Sequence, residues 1–258
     1  LSLGFFDAVI WQDADSTGKR GFDVSYINPL MFLRPVEGQN GSPDNALIGF
    51  TGKYELLDRL AVYGQVLLDE FTAKEVFAGD GYWANKFAYQ IGFRGTDFLN
   101  VPRWNYLAEF NTARPYTYSQ RNSLLSYGHY NQPLAHPFGA NFHELVAMST
   151  YDIKRWQFSG KINLAKYGLD PAGLNYGKDV FNSYQDRISD YGNKTTQGIE
   201  TNFAFLDGRV SYLLNPKYNL RLELGGMIRN EKNSDFHSRV YMLSFGLRSS
   251  FRNFYQDF

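Results

Sequence analysis

The stretch KFAYQIGFR, Lys86 to Arg94, decides the fold class. Phe87, Tyr89, Ile91 and Phe93 alternate with Lys86, Ala88, Gln90, Gly92 and Arg94, so one face of an extended segment is greasy and the other small, polar or charged. Period two is strand behaviour, because successive side chains of a strand point to opposite faces. The pattern recurs on either side. In Leu60–Leu68 (LAVYGQVLL), Leu60, Val62, Val66 and Leu68 oppose Tyr63 and Gln65. In Arg103–Asn111 (RWNYLAEFN), Trp104, Tyr106, Ala108 and Phe110 oppose Asn105, Glu109 and Asn111. In Arg155–Asn163 (RWQFSGKIN), Trp156, Phe158 and Ile162 oppose Gln157, Ser159, Lys161 and Asn163. Leu1–Trp11 reads as a strand already under way. Further strands are expected at about Phe22–Leu33, Asn45–Leu57, Phe142–Ile153, Gln197–Leu214, Asn219–Asn230 and Ser238–Ser250. Asn215–Asn219 (NPKYN) fits a tight turn, while Gln39–Asp44 and Asn230–Phe236 are polar loops.

Alternation alone fits two architectures. In a soluble sandwich the greasy face points inward; in a membrane barrel it meets lipid and the polar face lines the lumen. Strands that begin or end in Trp or Tyr suit a membrane–water interface and favour the barrel. On that reading Arg94, Glu109 and Lys161 line the lumen. The strands number about eleven, odd where bacterial single-chain barrels are even. With the mid-strand start and no signal segment ahead of Leu1, the expectation is a chain that lacks an upstream portion. The C-terminus, ending in Phe258, resembles the assembly signal of outer-membrane proteins, with Gln256 where that signal has an apolar residue.

The bulk numbers agree. The 258 residues carry 26 basic and 26 acidic side chains, which offers no electrostatic case for nucleic acid. The 22 Phe, 19 Tyr, 4 Trp and 24 Gly fit strands, tight turns and aromatic girdles, or less well a soluble sandwich or carbohydrate-binding module. With no Cys, disulfides, thiol catalysis and Cys-ligated zinc are excluded. No run approaches the ~18 apolar residues of a spanning helix, so a membrane protein of this sequence must close a barrel.

Several stretches resemble the Wzi-like capsule assembly family, including RemB-type gliding motility proteins of Bacteroidetes. They are YINPLMFLRPVE (Tyr26–Glu37), DNALIGF (Asp44–Phe50), YGQVLLDEF (Tyr63–Phe71), RPYTYSQRNSLLSYGHYNQPLAHPFGANFHE (Arg114–Glu144) and GLNYGKD (Gly173–Asp179). The resemblance runs the length of the chain, and the long central stretch is its most specific part. It implies an all-β, transmembrane antiparallel β-barrel in the bacterial outer membrane, of about eighteen strands in full. This chain, residues 1–258, would be its C-terminal portion. It also implies a non-enzymatic role that binds or anchors capsular polysaccharide.

The central segment, at about 115–141, is too irregular for strands and longer than a passive connection. Its aromatic content and Pro137-Phe138-Gly139 turn predict an ordered loop that folds into the barrel mouth or caps it. Arg114, Tyr116, Tyr118, Arg121, Tyr127, His129, Tyr130, Asn131, His136, Asn141 and Glu144 offer flat rings, donors and acceptors. Sugars use both, and Arg pairs with the carboxylates of acidic sugars. The same residues could instead bond to one another and plug the lumen. His129, His136 and His143 recur every seven positions, a spacing no single strand or helix turns into a metal site, and no H-E-x-x-H motif follows. No metal or other cofactor is expected, since no Gly-rich phosphate loop or nucleophile elbow appears. Asp69-Glu70 read as a solvated strand end whose side chains point to opposite faces. The leading expectation is therefore a polysaccharide-binding outer-membrane barrel, in contact with membrane lipid. The alternatives are a structural component that meets other outer-membrane or periplasmic proteins, as in a gliding assembly, and a porin or sugar transporter.

Overall fold

The structure is a computed structural model that describes residues 1–15, 18–19, 21, 44–70 and 73–249. The fold is all-β. Ten antiparallel strands form one sheet in sequence order: β1 (Ser2–Ile10), β2 (Asn45–Leu57), β3 (Leu60–Glu70), β4 (Lys86–Gly95), β5 (Trp104–Ala113), β6 (Phe142–Ile153), β7 (Trp156–Leu169), β8 (Ile199–Asn215), β9 (Leu220–Lys232) and β10 (His237–Arg248). Each strand pairs with its chain neighbours, and β1 and β10 are the edges of an open sheet. The only α-helix among the described residues is α1, the short Ala73–Ala78. The expected strand at Phe22–Leu33, the Tyr26–Glu37 stretch and the C-terminal residues from Ser250 to Phe258 lie outside the described residues.

Connections at one end are short: Asp58-Arg59, residues 96–103, Lys154-Arg155 and the Pro216–Tyr218 turn, where Asn215 accepts from the Lys217 amide. The long segments 114–141 and 170–198 both leave from the other end. Strand β7 runs six residues past its predicted end. Alternation continues there, with Ala165 and Tyr167 turned under the loops and Leu164 exposed.

The two faces of the sheet differ in kind. One face is bare, and three of its rows are apolar across five strands, with the small row Ser149–Gly160–Gly208–Gly226–Leu243 between the first two. Ala147–Ile162–Leu206–Ile228–Tyr241 is one row, Tyr151–Phe158–Val210–Leu224–Phe245 another, and Ile153–Trp156–Tyr212–Leu222–Leu247 a third. Many of these side chains are exposed, Phe245 at 73% and Leu247 at 66%. The other face is covered by the two long segments at its loop end, from β1 to β8. Its row nearest them, Leu67–Ala88–Ala113–Phe142–Tyr167, forms the core with Leu47, Tyr118, Ala140 and Val180. One row deeper it turns polar: Gln65, Gln90, Asn111 and Glu144 stand side by side. The hydrophobic core thus lies between the sheet and its own loops.

One expectation is overturned. Asp69-Glu70 is no solvated strand end: Asp69 is buried, and both carboxylates reach the Lys86 ammonium, at 3.3 Å and 3.2 Å. The register jumps from Leu68↔Phe87 to Glu70↔Lys86, so Asp69 is the extra residue of a β-bulge. A bulge interrupts the alternation that would have sent the two side chains to opposite faces.

Candidate functional site

The segment between β5 and β6 is the loop foreseen at about 115–141, and it has three parts. Its first part is an anchor. Pro115 to Gln120 is buried. The Tyr118 amide donates to Asp69 Oδ2 at 2.7 Å, and the Lys86 ammonium donates to the Ser119 carbonyl at 2.9 Å while lying 4.7 Å from the Tyr184 ring centre. The Tyr116 ring packs on Gly177, where a Cβ would fall 2.4 Å from the Tyr116 nitrogen, and its hydroxyl donates to the Asn175 carbonyl at 2.9 Å. Burial pushes the Tyr116 hydroxyl up to about 12. Arg114 lies over the Phe87 ring and points a guanidinium nitrogen at the Tyr82 carbonyl, 3.4 Å away. Burial lowers its pKa from the usual arginine value.

The second part is exposed. Gly128-His129 and Gln132-Pro133 form a two-rung hairpin closed by Tyr130 and Asn131, both at positive φ (46° and 59°), the type I′ turn that suits strand twist. His129 stacks edge-on against Tyr130, whose side chain is 88% exposed. Arg121 is exposed, and its carbonyl accepts from the Ser183 hydroxyl at 2.8 Å.

The third part returns to the sheet. The Phe138 amide donates to His136 Nδ1 at 3.1 Å, so His136 carries its proton on Nε2 and donates it to Glu144 Oε2 at 2.9 Å. Asn111 donates to the same oxygen at 2.8 Å and Asn163 to Glu144 Oε1 at 2.7 Å. Asn141, fully buried at φ 59°, rivets both long segments to the strand ends. Its Oδ1 accepts from the amides of Thr196 and Gln197, and its Nδ2 donates to the carbonyls of Gly168 and Gln197.

Between the underside of this loop and the polar row of the sheet lies a cavity of about 640 Å³. Gln65, Gln90, Asn111, Asn163, Glu109 and Lys161 form its floor. Tyr118, Tyr127, His136 and Phe138 come from the loop, with Glu144 at the junction. Glu109 accepts from the Tyr63 hydroxyl, and Asn163 Oδ1 has no partner among the described residues. The wall thus mixes flat rings with amide and carboxylate groups, in a volume typical of small-ligand sites, about 300–1,000 Å³.

The residues singled out in the sequence therefore divide. Tyr118, Tyr127, His136, Glu144, Glu109 and Lys161 meet at the cavity. Arg114, Tyr116 and Asn141 hold the loop down, and Arg121, His129 and Asn131 lie on its outer surface. Arg94 is on the covered face, 5.6 Å from the Tyr63 ring centre, beside a separate recess at the short-turn end. The histidines part: His143 turns to the bare face, stacked on Phe110, and no group of metal ligands gathers among the described residues. Sequence reasoning missed the 170–198 segment as a partner of the loop, although GLNYGKD lies in it. Lys178, from that motif, donates to the Phe138 carbonyl and sits 4.5 Å from the Tyr167 ring centre.

Lys178 supplies a pH test. Burial lowers its ammonium to about 8 from 10.5, against the pull of Asp170 and Asp179. The folded chain gives up this proton near pH 8, while the unfolded chain keeps it to about 10.5, so stability rises with pH between them. The slope is at most about 1.4 kcal/mol per pH unit. Urea unfolding at pH 8 and pH 10 should show the rise, and Lys178→Met should flatten it.

No family model and no curated protein matches the chain.

Proposed function

We propose that this chain is the wall of an outer-membrane β-barrel whose interior is stopped by its own loops, and that it binds surface polysaccharide in the cavity beneath the central loop without chemical conversion. The observation that carries the membrane reading is the inversion of the sheet: apolar rows stand bare on one face, while the opposite face carries one apolar row beneath the loops and polar rows beyond it. A water-soluble sheet protein buries its apolar face instead. Leu145 to Ile153 on the bare face matches the roughly 9–11 residues that a tilted strand needs to cross lipid. The resemblance to Wzi-like proteins and the mixed wall of the cavity support the sugar. Glu144 and Glu109, the carboxylates at the cavity, are each held by hydrogen bonds from neighbours, which suits binding better than acid–base work.

Two measurements test this reading. Trp104 and Trp156 stand on the bare face, so brominated lipid should quench their fluorescence in reconstituted protein; unquenched tryptophans would remove the membrane reading. Glycan binding by the full chain in detergent should fall about tenfold in Gln90→Ala and Lys161→Ala, each loss equal to roughly one hydrogen bond. Undiminished binding would move the sugar elsewhere. A porin reading draws on the polar covered face; it requires conductance in planar bilayers, which the loop cover should suppress. A partner-binding reading draws on Leu124, Tyr130 and Leu134, exposed on the loop.

A further inference from the structure

We propose that the bare face of β6–β10 carries a docking strip for phosphate-bearing headgroups of the lipid around the protein, which rests on the membrane reading above. The cross-strand register places the residues. At the loop end of the bare face, His143, Lys166, Asn202, Lys232 and His237 form one row across five strands. The next row is Leu145, Leu164, Ala204, Asn230 and Arg239, and below it the apolar rows begin. Three permanent cations therefore stand where the apolar band ends, the level at which headgroups of embedding lipid sit.

Their partners are few. Lys166 pairs with Glu200 at 2.9 Å. Lys232 and Arg239 are exposed and have no carboxylate within 4.0 Å among the described residues. Arg239 instead touches the Tyr241 hydroxyl at 3.3 Å and Asn230 Oδ1 at 3.5 Å, and His237 shares that Asn230 oxygen at 2.8 Å. Glu231 points to the other face, where Arg229 and Tyr167 take it. The long loops cover that other face, so they do not neutralise the strip. Lys232 offers a point charge and Arg239 a fork, the two geometries that bind phosphate oxygens. The side chains of His143, Asn202 and His237 add hydrogen-bonding groups along the same row.

The experiment uses the full chain purified in detergent, offered a phospholipid with a phosphomonoester headgroup or a zwitterionic one, with bound lipid counted by native mass spectrometry. Wild type should retain the phosphomonoester lipid in excess. The Lys232→Gln/Arg239→Gln protein should lose that preference by about fivefold per charge, about 25-fold for the pair. Lys154→Gln/Lys217→Gln, which removes equal charge at the opposite end, should keep it. Equal loss in both variants, or no preference in wild type, overturns the strip. Displacement by inorganic phosphate alone makes it a simple anion site and also overturns the lipid assignment. Quenching of Trp104 and Trp156 by brominated lipid reads the membrane assignment independently, so quenched tryptophans without lipid preference reject the strip alone.

Discussion

Lys86→Met is expected to destabilise the protein by about 3–5 kcal/mol, the cost of leaving a buried charge without its partner. The Lys86 side chain is 0% exposed and so is that of Asp69, 3.3 Å away. The ammonium also holds Glu70 and the Ser119 carbonyl, and the Tyr184 ring closes over it. One cation therefore ties β3, β4 and both long segments. Methionine keeps the volume but takes the ammonium from Glu70 and Ser119 and leaves Asp69 with the Tyr118 amide alone. Urea titration in lipid vesicles reads the loss, and protease should cut within 114–141 at lower urea than in wild type. Lys86→Met/Asp69→Asn should regain much of it, because a neutral amide costs less to bury than a carboxylate. A single-variant loss below about 1 kcal/mol would mean that the ion pair does not latch the loop.

Asn141→Ala is expected to cost about 3 kcal/mol or more. Four hydrogen bonds vanish: the carbonyl of Gly168 loses a partner in a buried place, and the amides of Thr196 and Gln197 and the carbonyl of Gln197 lose one in a half-buried place. Alanine at φ 59° adds backbone strain of roughly 1 kcal/mol. Asn141→Gly removes the same hydrogen bonds without that strain, so the difference between the two isolates the backbone contribution. Asn141→Asp keeps the oxygen that Thr196 and Gln197 use but turns a carboxylate oxygen onto two carbonyls, and it should be worse than Gly. The readout is protease cleavage within 170–198 of otherwise folded protein. If all three variants resist protease as wild type does, the residue is not the rivet between the two segments.

Most of the sheet was legible in the sequence. Phe142–Ile153 and Asn45–Leu57 match the observed strands at both ends, and the Lys86–Arg94 strand is off by one residue. Alternation also sorted side chains correctly in mid-strand: Gln65, Gln90, Glu109 and Asn163 share one face, and Val66, Tyr89, Phe110 and Ile162 the other. Local steric rules set this, since a regular strand cannot do otherwise. The rule failed where the strand is irregular, at the Asp69 bulge, whose position depends on how β4 meets β3.

The candidate site was legible only in part. The loop was visible as a loop from its Pro, Gly and aromatic content, and that composition named residues of the right kind. Composition does not say which of them meet. Arg114 and Tyr116 carry the same chemistry as Tyr127 and His136, yet the first pair is spent on packing and the second lines the cavity.

The sequence by itself determined the alternating strands, their order of occurrence and the presence of an unusually long segment between β5 and β6, because these follow from side-chain period and turn chemistry over a few residues. The tertiary structure alone decided that Leu47, Leu67, Phe142 and Tyr167, on the same face as the polar row, form a core beneath the loops. It alone brought Lys178 to Phe138 and Asn141 to Gln197. Those contacts join residues far apart in the chain: the core gains from burying apolar surface and the hydrogen bonds offset the cost of burying polar groups, and no local pattern encodes either.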